Sequence, residues 1–133
     1  MIDNSNTAEM MLEVNQLISN NKIAGAIDLL DEILVNEPGF GRAYNHFGRM
    51  YDVKLKQPYK GEEHYKLAIK FNPEYASGYT NYAFLLSGQR RFTELEVILK
   101  KAKFCTTINL ATIASEYGIM YELSGKLDDA IVF

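Results

Sequence analysis

The chain reads as an all-α protein of antiparallel helix pairs stacked in file, and two observations predict it. The first is a set of residues, Tyr44, Phe47, Gly48 and Tyr51, spaced three and four apart. That spacing lays bulky side chains on one helix face beside a notch that admits a neighbouring helix. The second is recurrence. The set returns thirty-five residues later as Tyr79, Tyr82, Ala83 and Leu86, and after thirty-five more as Ala114, Tyr117, Gly118 and Tyr121. Met10, Val14 and Leu17 form a weaker copy upstream. Each copy is followed by a second apolar stripe: Ala26, Leu30 and Ile33 closing at Pro38, then Tyr65 and Ala68 closing at Pro73, then Leu95, Leu99 and Ala102, with Ala130 opening a fourth. A two-helix unit repeated at this period marks an array in which each hairpin buries its apolar face on the next.

In chain order, Asn6 with Glu9 three positions on forms a capping-box pattern, so the first helix is expected over 7–19, with Asn20-Asn21-Lys22 as its turn. The second helix, expected over 23–36, carries Ala26, Ile27, Leu30, Ile33 and Leu34 on one face and breaks at Pro38-Gly39. The next first helix begins near Gly41 and ends around Lys54. Its partner starts at Gln57-Pro58, where proline suits a first helical turn, and ends at Phe71. This turn holds one residue more than its predecessor, an addition that a surface connection accepts at little cost. In the third unit a first helix over 76–86 leads to a turn at Ser87-Gly88-Gln89, and Thr93 with Glu96 repeats the capping-box pattern. Lys100, Lys101 and Lys103 gather at the end of that last helix, where cations meet the negative pole of the helix dipole. A fourth first helix over 110–123, a Ser124-Gly125 turn and a start at Leu127 follow, so seven full helices are expected.

Composition narrows the function. The chain has 133 residues, 47% of them hydrophobic, and a formal charge of −3. That length is one domain's worth, and the charge argues against a dominant nucleic-acid or anionic-membrane role, which needs clustered Lys and Arg. One cysteine, Cys105, cannot form an internal disulfide and fits a reducing compartment. The opening MIDNSNTAEMML has no positive charge before a long apolar run, so neither a signal peptide nor a membrane span is expected, and the cytoplasm is the default location.

Chemistry has few carriers here. His46, His64 and Cys105 lie on different expected helices, and Glu62-Glu63-His64 lacks the second histidine that a zinc-protease helix requires. No phosphate-cradling glycine loop and no Gly-x-Ser-x-Gly turn occurs. The expectation is therefore a protein that is not an enzyme, with no metal, no cofactor and no small-molecule substrate.

The motif residues carry a resemblance to a known family. Tyr44, Phe47, Gly48, Tyr51, Tyr65, Ala68 and Pro73 resemble the tetratricopeptide repeat pattern of aromatic, large apolar, small, tyrosine, then alanine, aromatic, alanine and a closing proline. Gly61 and Leu95 replace an alanine of that pattern, and Thr107 stands where the third unit's proline would be. The resemblance implies a single domain, a right-handed superhelical α-solenoid of about three and a half repeats: 7–40, 41–75, 76–110 and a partial 111–133. It also implies a concave wall lined by first-helix residues outside the packing motif. These are Met11, Leu12, Asn15 and Ile18 in the first unit, then Arg42, Asn45, His46, Arg49 and Asp52 in the second. The third gives Ser77, Thr80, Asn81 and Phe84, and the fourth gives Thr112, Ser115, Glu116, Ile119 and Glu122.

By the same resemblance, the expected function is a binding module that holds a peptide or helix of a partner protein in the groove. Arg42, Asn45 and Arg49 would pair with an acidic group or terminal carboxylate, and Phe84 would seat an apolar side chain. Some family members grip chaperone carboxyl termini with lysines, but Met11, Ser77 and Thr112 occupy the matching wall, which argues against that clamp. The apolar end, Ala130, Ile131, Val132 and Phe133, gives a second expectation, a scaffold that docks on another copy through this edge. A repeat piece of a larger enzyme or regulator, and a small secretion-chaperone adaptor, are the remaining readings.

Overall fold

A computed structural model of the chain describes residues 4–103 and 105. Among these residues the structure is helical, with no strand. It comprises α1 (Asn4–Ser19), α2 (Ile23–Asn36), α3 (Gly41–Arg49), a π-helical segment (Met50–Lys54), α4 (Pro58–Phe71), α5 (Ala76–Gly88) and α6 (Phe92–Ala102). Six α-helices thus stand where seven were expected, the seventh, over 110–123, lying outside the described residues. The chain divides into two compact units, Met1–Asn72 and Pro73–Phe133. In the first, α1 packs on α2, α3 on α4, and α2 on α3; in the second, α5 packs on α6. Each pair is joined by a short turn, which makes it an antiparallel hairpin.

The core of the first unit is the apolar stripe that the periodicity singles out. Val14, Ala26, Leu30, Ile33, Ala43, Phe47 and Met50 are buried together, with Leu17, Ile18, Ile27 and Tyr51 packed around them. Fully burying a side chain such as Leu30 or Ile33 contributes about 1.5–3 kcal/mol. In the second unit Tyr79, Tyr82, Leu86, Leu95 and Leu99 are likewise buried.

Two tyrosines latch their hairpins in the same way. Tyr44 donates its hydroxyl to the Pro38 carbonyl at 3.0 Å, and Tyr79 donates to the Pro73 carbonyl at 2.6 Å. In both cases the first helix of a hairpin reaches back six residues to the carbonyl of a proline in the turn that precedes it.

Helix starts differ from the sequence expectation. α1 begins at Asn4, so Asn6 lies within the helix and cannot cap it. α6 begins at Phe92, one residue before Thr93, and no side chain caps its first turn. Arg91 instead closes that turn by pairing with Glu94, while Glu96 pairs with Lys100 at 3.2 Å. The Glu96 carboxylate that a capping box with Thr93 would have used is thus taken by an i, i+4 ion pair.

Turns also differ. α5 runs through Gly88, and the left-handed residue is Arg90, at φ 59. It occupies the position that Asn21 holds after α1, at φ 60. Both ends are Schellman closures: Lys22 N–H bonds the Leu17 carbonyl at 2.7 Å, and Arg91 N–H bonds the Leu86 carbonyl at 3.0 Å, each spanning five residues. After α3 the left-handed residue is Lys56, and the closing bond spans six, from Gln57 N–H to the Tyr51 carbonyl. The surplus residue of this hairpin is therefore wound into the π-helical segment, where Leu55 N–H bonds the Met50 carbonyl, and is not looped out at the surface.

Candidate functional site

The candidate site starts from the rotation of α3, and glycines set that rotation. A methyl group on Gly41 would meet the Asn72 Cβ at 2.5 Å and the Ala68 carbonyl at 2.9 Å. One on Gly48 would run into the Tyr65 ring and approach the Gly61 carbonyl at 3.2 Å. One on Gly61 would meet the Asp52 Cβ at 2.8 Å. The stripe Gly41, Asn45, Gly48 and Asp52 is thus the line along which α4 presses closest, through Gly61, Tyr65, Ala68 and Asn72.

That placement turns two of the expected wall residues toward α4, burying Asn45 and half-burying Asp52. Asn45, flanked at four and three residues by the two glycines, is only 2% exposed. Asp52 accepts a hydrogen bond from the Tyr65 hydroxyl at 3.2 Å, and burial, with the Asp52 charge beside it, pushes the Tyr65 phenol above its ordinary value. The glycines at 41 and 48 are the sequence signal for this: a polar residue midway between two small ones on a helix face sits at a close helix crossing.

The exposed face of α3 is Arg42, His46 and Arg49, spaced four and three apart, with both arginines exposed and His46 half-buried. His46 is anchored at both nitrogens. Its Nδ1 lies 2.9 Å from the Arg42 carbonyl, which can only accept, so this nitrogen carries a proton. Its Nε2 lies 2.8 Å from the side-chain amide of Asn15 on α1. Burial holds the His46 pKa below the ordinary 6.5, against the opposing pull of the Arg42 carbonyl bond, and the charges of Arg49 and Arg42 lower it further. Near neutral pH the ring is uncharged and Nε2 can only accept, so the Asn15 amide, whose Oδ1 stands at this position, makes the bond with its oxygen and nitrogen exchanged. Asn15 and His46 thereby tie α1 to α3 across thirty-one residues of sequence. Of the remaining α1 wall residues, Met11 and Ile18 pack against the core and Leu12 is 64% exposed.

His64, on α4, is placed differently. Its Nδ1 meets the Lys60 carbonyl at 2.8 Å, and its ring lies among Tyr44, Phe47 and Tyr51, with centroids 5.2 to 6.4 Å away. This is aromatic packing between α3 and α4. Cys105 is buried, and its thiol points to the Pro73 carbonyl at 3.6 Å; burial, then the charge of Glu74, pushes it up and away from the reactive thiolate. Among the described residues no three His, Cys, Asp or Glu side chains come together as a metal-binding group.

In the second unit, Ser77, Asn81 and Phe84 follow one face of α5 at four and three residues. Ser77 and Phe84 are exposed, Phe84 by 53%, and Asn81 is half-buried. Thr80 is half-buried and donates to the Ala76 carbonyl at 3.2 Å. Thr112, Ser115, Glu116, Ile119 and Glu122, and the edge Ala130, Ile131, Val132 and Phe133, lie outside the described residues.

Short-turned helix pairs, two of them latched by a tyrosine on a proline carbonyl and one closed along its glycines, define a helical-hairpin repeat protein. The chain has the tetratricopeptide repeat fold. It is similar to PilF of Pseudomonas aeruginosa, at a TM-score of 0.81 and 19% identity, over 93% of this chain and 55% of that one. It therefore spans little more than half the length of that structure. It is also similar to the first tetratricopeptide repeat domain of Spaghetti (RPAP3), solved with the HSP90 peptide SRMEEVD, at a TM-score of 0.76 and 16% identity, over 92% of this chain and 99% of that one. No protein-family model matches the sequence, and no curated protein matches it significantly.

Proposed function

We propose that this chain is a non-catalytic binding module that holds a segment of a partner protein against the exposed faces of its first helices. The observation that carries the reading is the α3 face. Arg42, His46 and Arg49 form one solvent-side stripe, and the Asn15 bridge to α1 fixes His46 within it, so the stripe is ordered before any partner arrives. Pre-ordering of this kind lowers the entropy cost of binding. Leu12 on α1 adds an exposed apolar seat to the first unit, and Phe84 on α5 gives the second unit one of its own; burying either on a partner would add affinity. The peptide bound to the Spaghetti domain supports the general mode. Asn45 and Asp52 act from behind, by fixing α3 against α4. Because Met11 packs against the core and Ser77 carries no charge, orientation rests on the arginines and not on a lysine clamp.

The test is affinity capture from native lysate with wild-type chain and an Arg49→Glu, Phe84→Ala variant. The variant is expected to lose the partner that wild type retains. Identical partners at equal yield would overturn the assignment of these faces.

A further inference from the structure

One surface of the first unit is not used by the packing or by the proposed site. It is the hairpin tip from the π-helical segment into α4, where Val53, Lys54, Leu55, Lys56 and Tyr59 are exposed, Tyr59 by 80%, and Lys60 lies 5.0 Å over the Tyr51 ring. Among the described residues neither Lys54 nor Lys56 makes an ion pair. Apolar side chains alternating with unpaired ammonium groups at a protruding turn make a surface that favours an acidic, partly apolar occupant.

The chain carries such an occupant. The outward stripe of α2 presents Asp28, Asp31 and Val35, with Glu32 beside them; all four are exposed, Val35 by 79%. None of these carboxylates is ion-paired among the described residues, and α2 contains no basic residue. The charge is segregated on a larger scale too. Residues 4–40 hold six carboxylates and one lysine, while residues 41–72 hold seven Lys and Arg against three carboxylates. Within one copy, no ion pair joins α2 to the tip among the described residues, so each surface is left to meet its complement elsewhere.

We propose that a second copy of this chain is the occupant: the α2 stripe of one copy docks on the lysine-bearing tip of another, with Val35 meeting the Val53, Leu55 and Tyr59 cluster. An anionic membrane would fit the tip alone, but the acidic first hairpin and the net charge of −3 oppose approach to such a surface.

The experiment is sedimentation equilibrium of the full chain at low and high salt, with a charge exchange. Wild type is expected to associate with rising concentration and to weaken as salt screens the pairs. Lys54→Glu with Lys56→Glu, or Asp28→Lys with Asp31→Lys, should each weaken self-association about tenfold or more. Mixing the two variants should restore it, because each now carries the other's complement; that recovery also shows that both remain folded. A chain that stays monomeric at low salt overturns the proposal. So does association that the Lys54 and Lys56 changes leave intact, or a loss that mixing does not repair. Binding of wild type to phosphatidylserine vesicles, lost with Lys54→Glu and Lys56→Glu, in a chain that does not self-associate would assign the tip to membranes instead.

Discussion

His46 is held at both ring nitrogens, by the Arg42 carbonyl on its own helix and by Asn15 on α1. Burial lowers its pKa in the folded chain, so the unfolded chain binds the proton first. Stability from the neutral ring is therefore fully present above about pH 6.5 and is lost as pH falls from there through the folded value. Urea midpoints at about pH 7.5 and about pH 5 should differ more for wild type than for His46→Gln, whose amide does not titrate. The latch tyrosines give a second prediction at this scale. Tyr79→Phe should cost about 1 kcal/mol, and Tyr44→Phe less, since Tyr79 is buried with the shorter bond and Tyr44 is half-buried. Thermal unfolding of the two variants checks the order. The sequence placed Arg42, His46 and Arg49 on the first helix of a hairpin through periodicity alone. It did not separate them from Asn45 and Asp52, because steps of three and of four are both helical, and only the glycine contacts with α4 decide which of 45 and 46 turns inward.

For the helices, what was legible tracks the physical signal available. The ends of α2 and α4 were readable because Pro38 and Pro58 fix a stop and a start. The starts of α1 and α6 were not, since Asn6 with Glu9 and Thr93 with Glu96 both fall inside their helices, and Glu96 there pairs with Lys100 instead. The left-handed positions were likewise hidden, because Lys56 and Arg90 have no intrinsic preference for positive φ and the closing bonds impose it. Glycine substitutions test the packing between helices directly. Gly48→Ala should destabilise by about 2 kcal/mol or more, because the added methyl strikes the Tyr65 ring and the Gly61 carbonyl. Gly25→Ala should stabilise by about 0.5–1 kcal/mol, since its methyl would rest 3.6 Å from Leu17 in ordinary contact and α2 would gain a better helix former. Denaturant titration should move the two midpoints in opposite directions.

At the scale of the molecule, the tetratricopeptide repeat fold, helical throughout the described residues, was readable from recurrence, since an array repeats its evidence with every unit. Partner identity was not, because the faces proposed for binding are the ones the repeat leaves unconstrained. The chain overlaps little more than half of the PilF structure. The π-helical segment after α3 bears on how the length of a single repeat varies. The small motif residue and the left-handed turn residue are seven apart in the first and third hairpins, Val14 to Asn21 and Ala83 to Arg90, but eight apart from Gly48 to Lys56. A single widened coil absorbs the difference, and α4 still meets α3 along its glycines. A gene encoding such an array can therefore gain or lose one codon near the end of a first helix and keep its hairpins in phase, provided the rod has a coil that can widen or narrow.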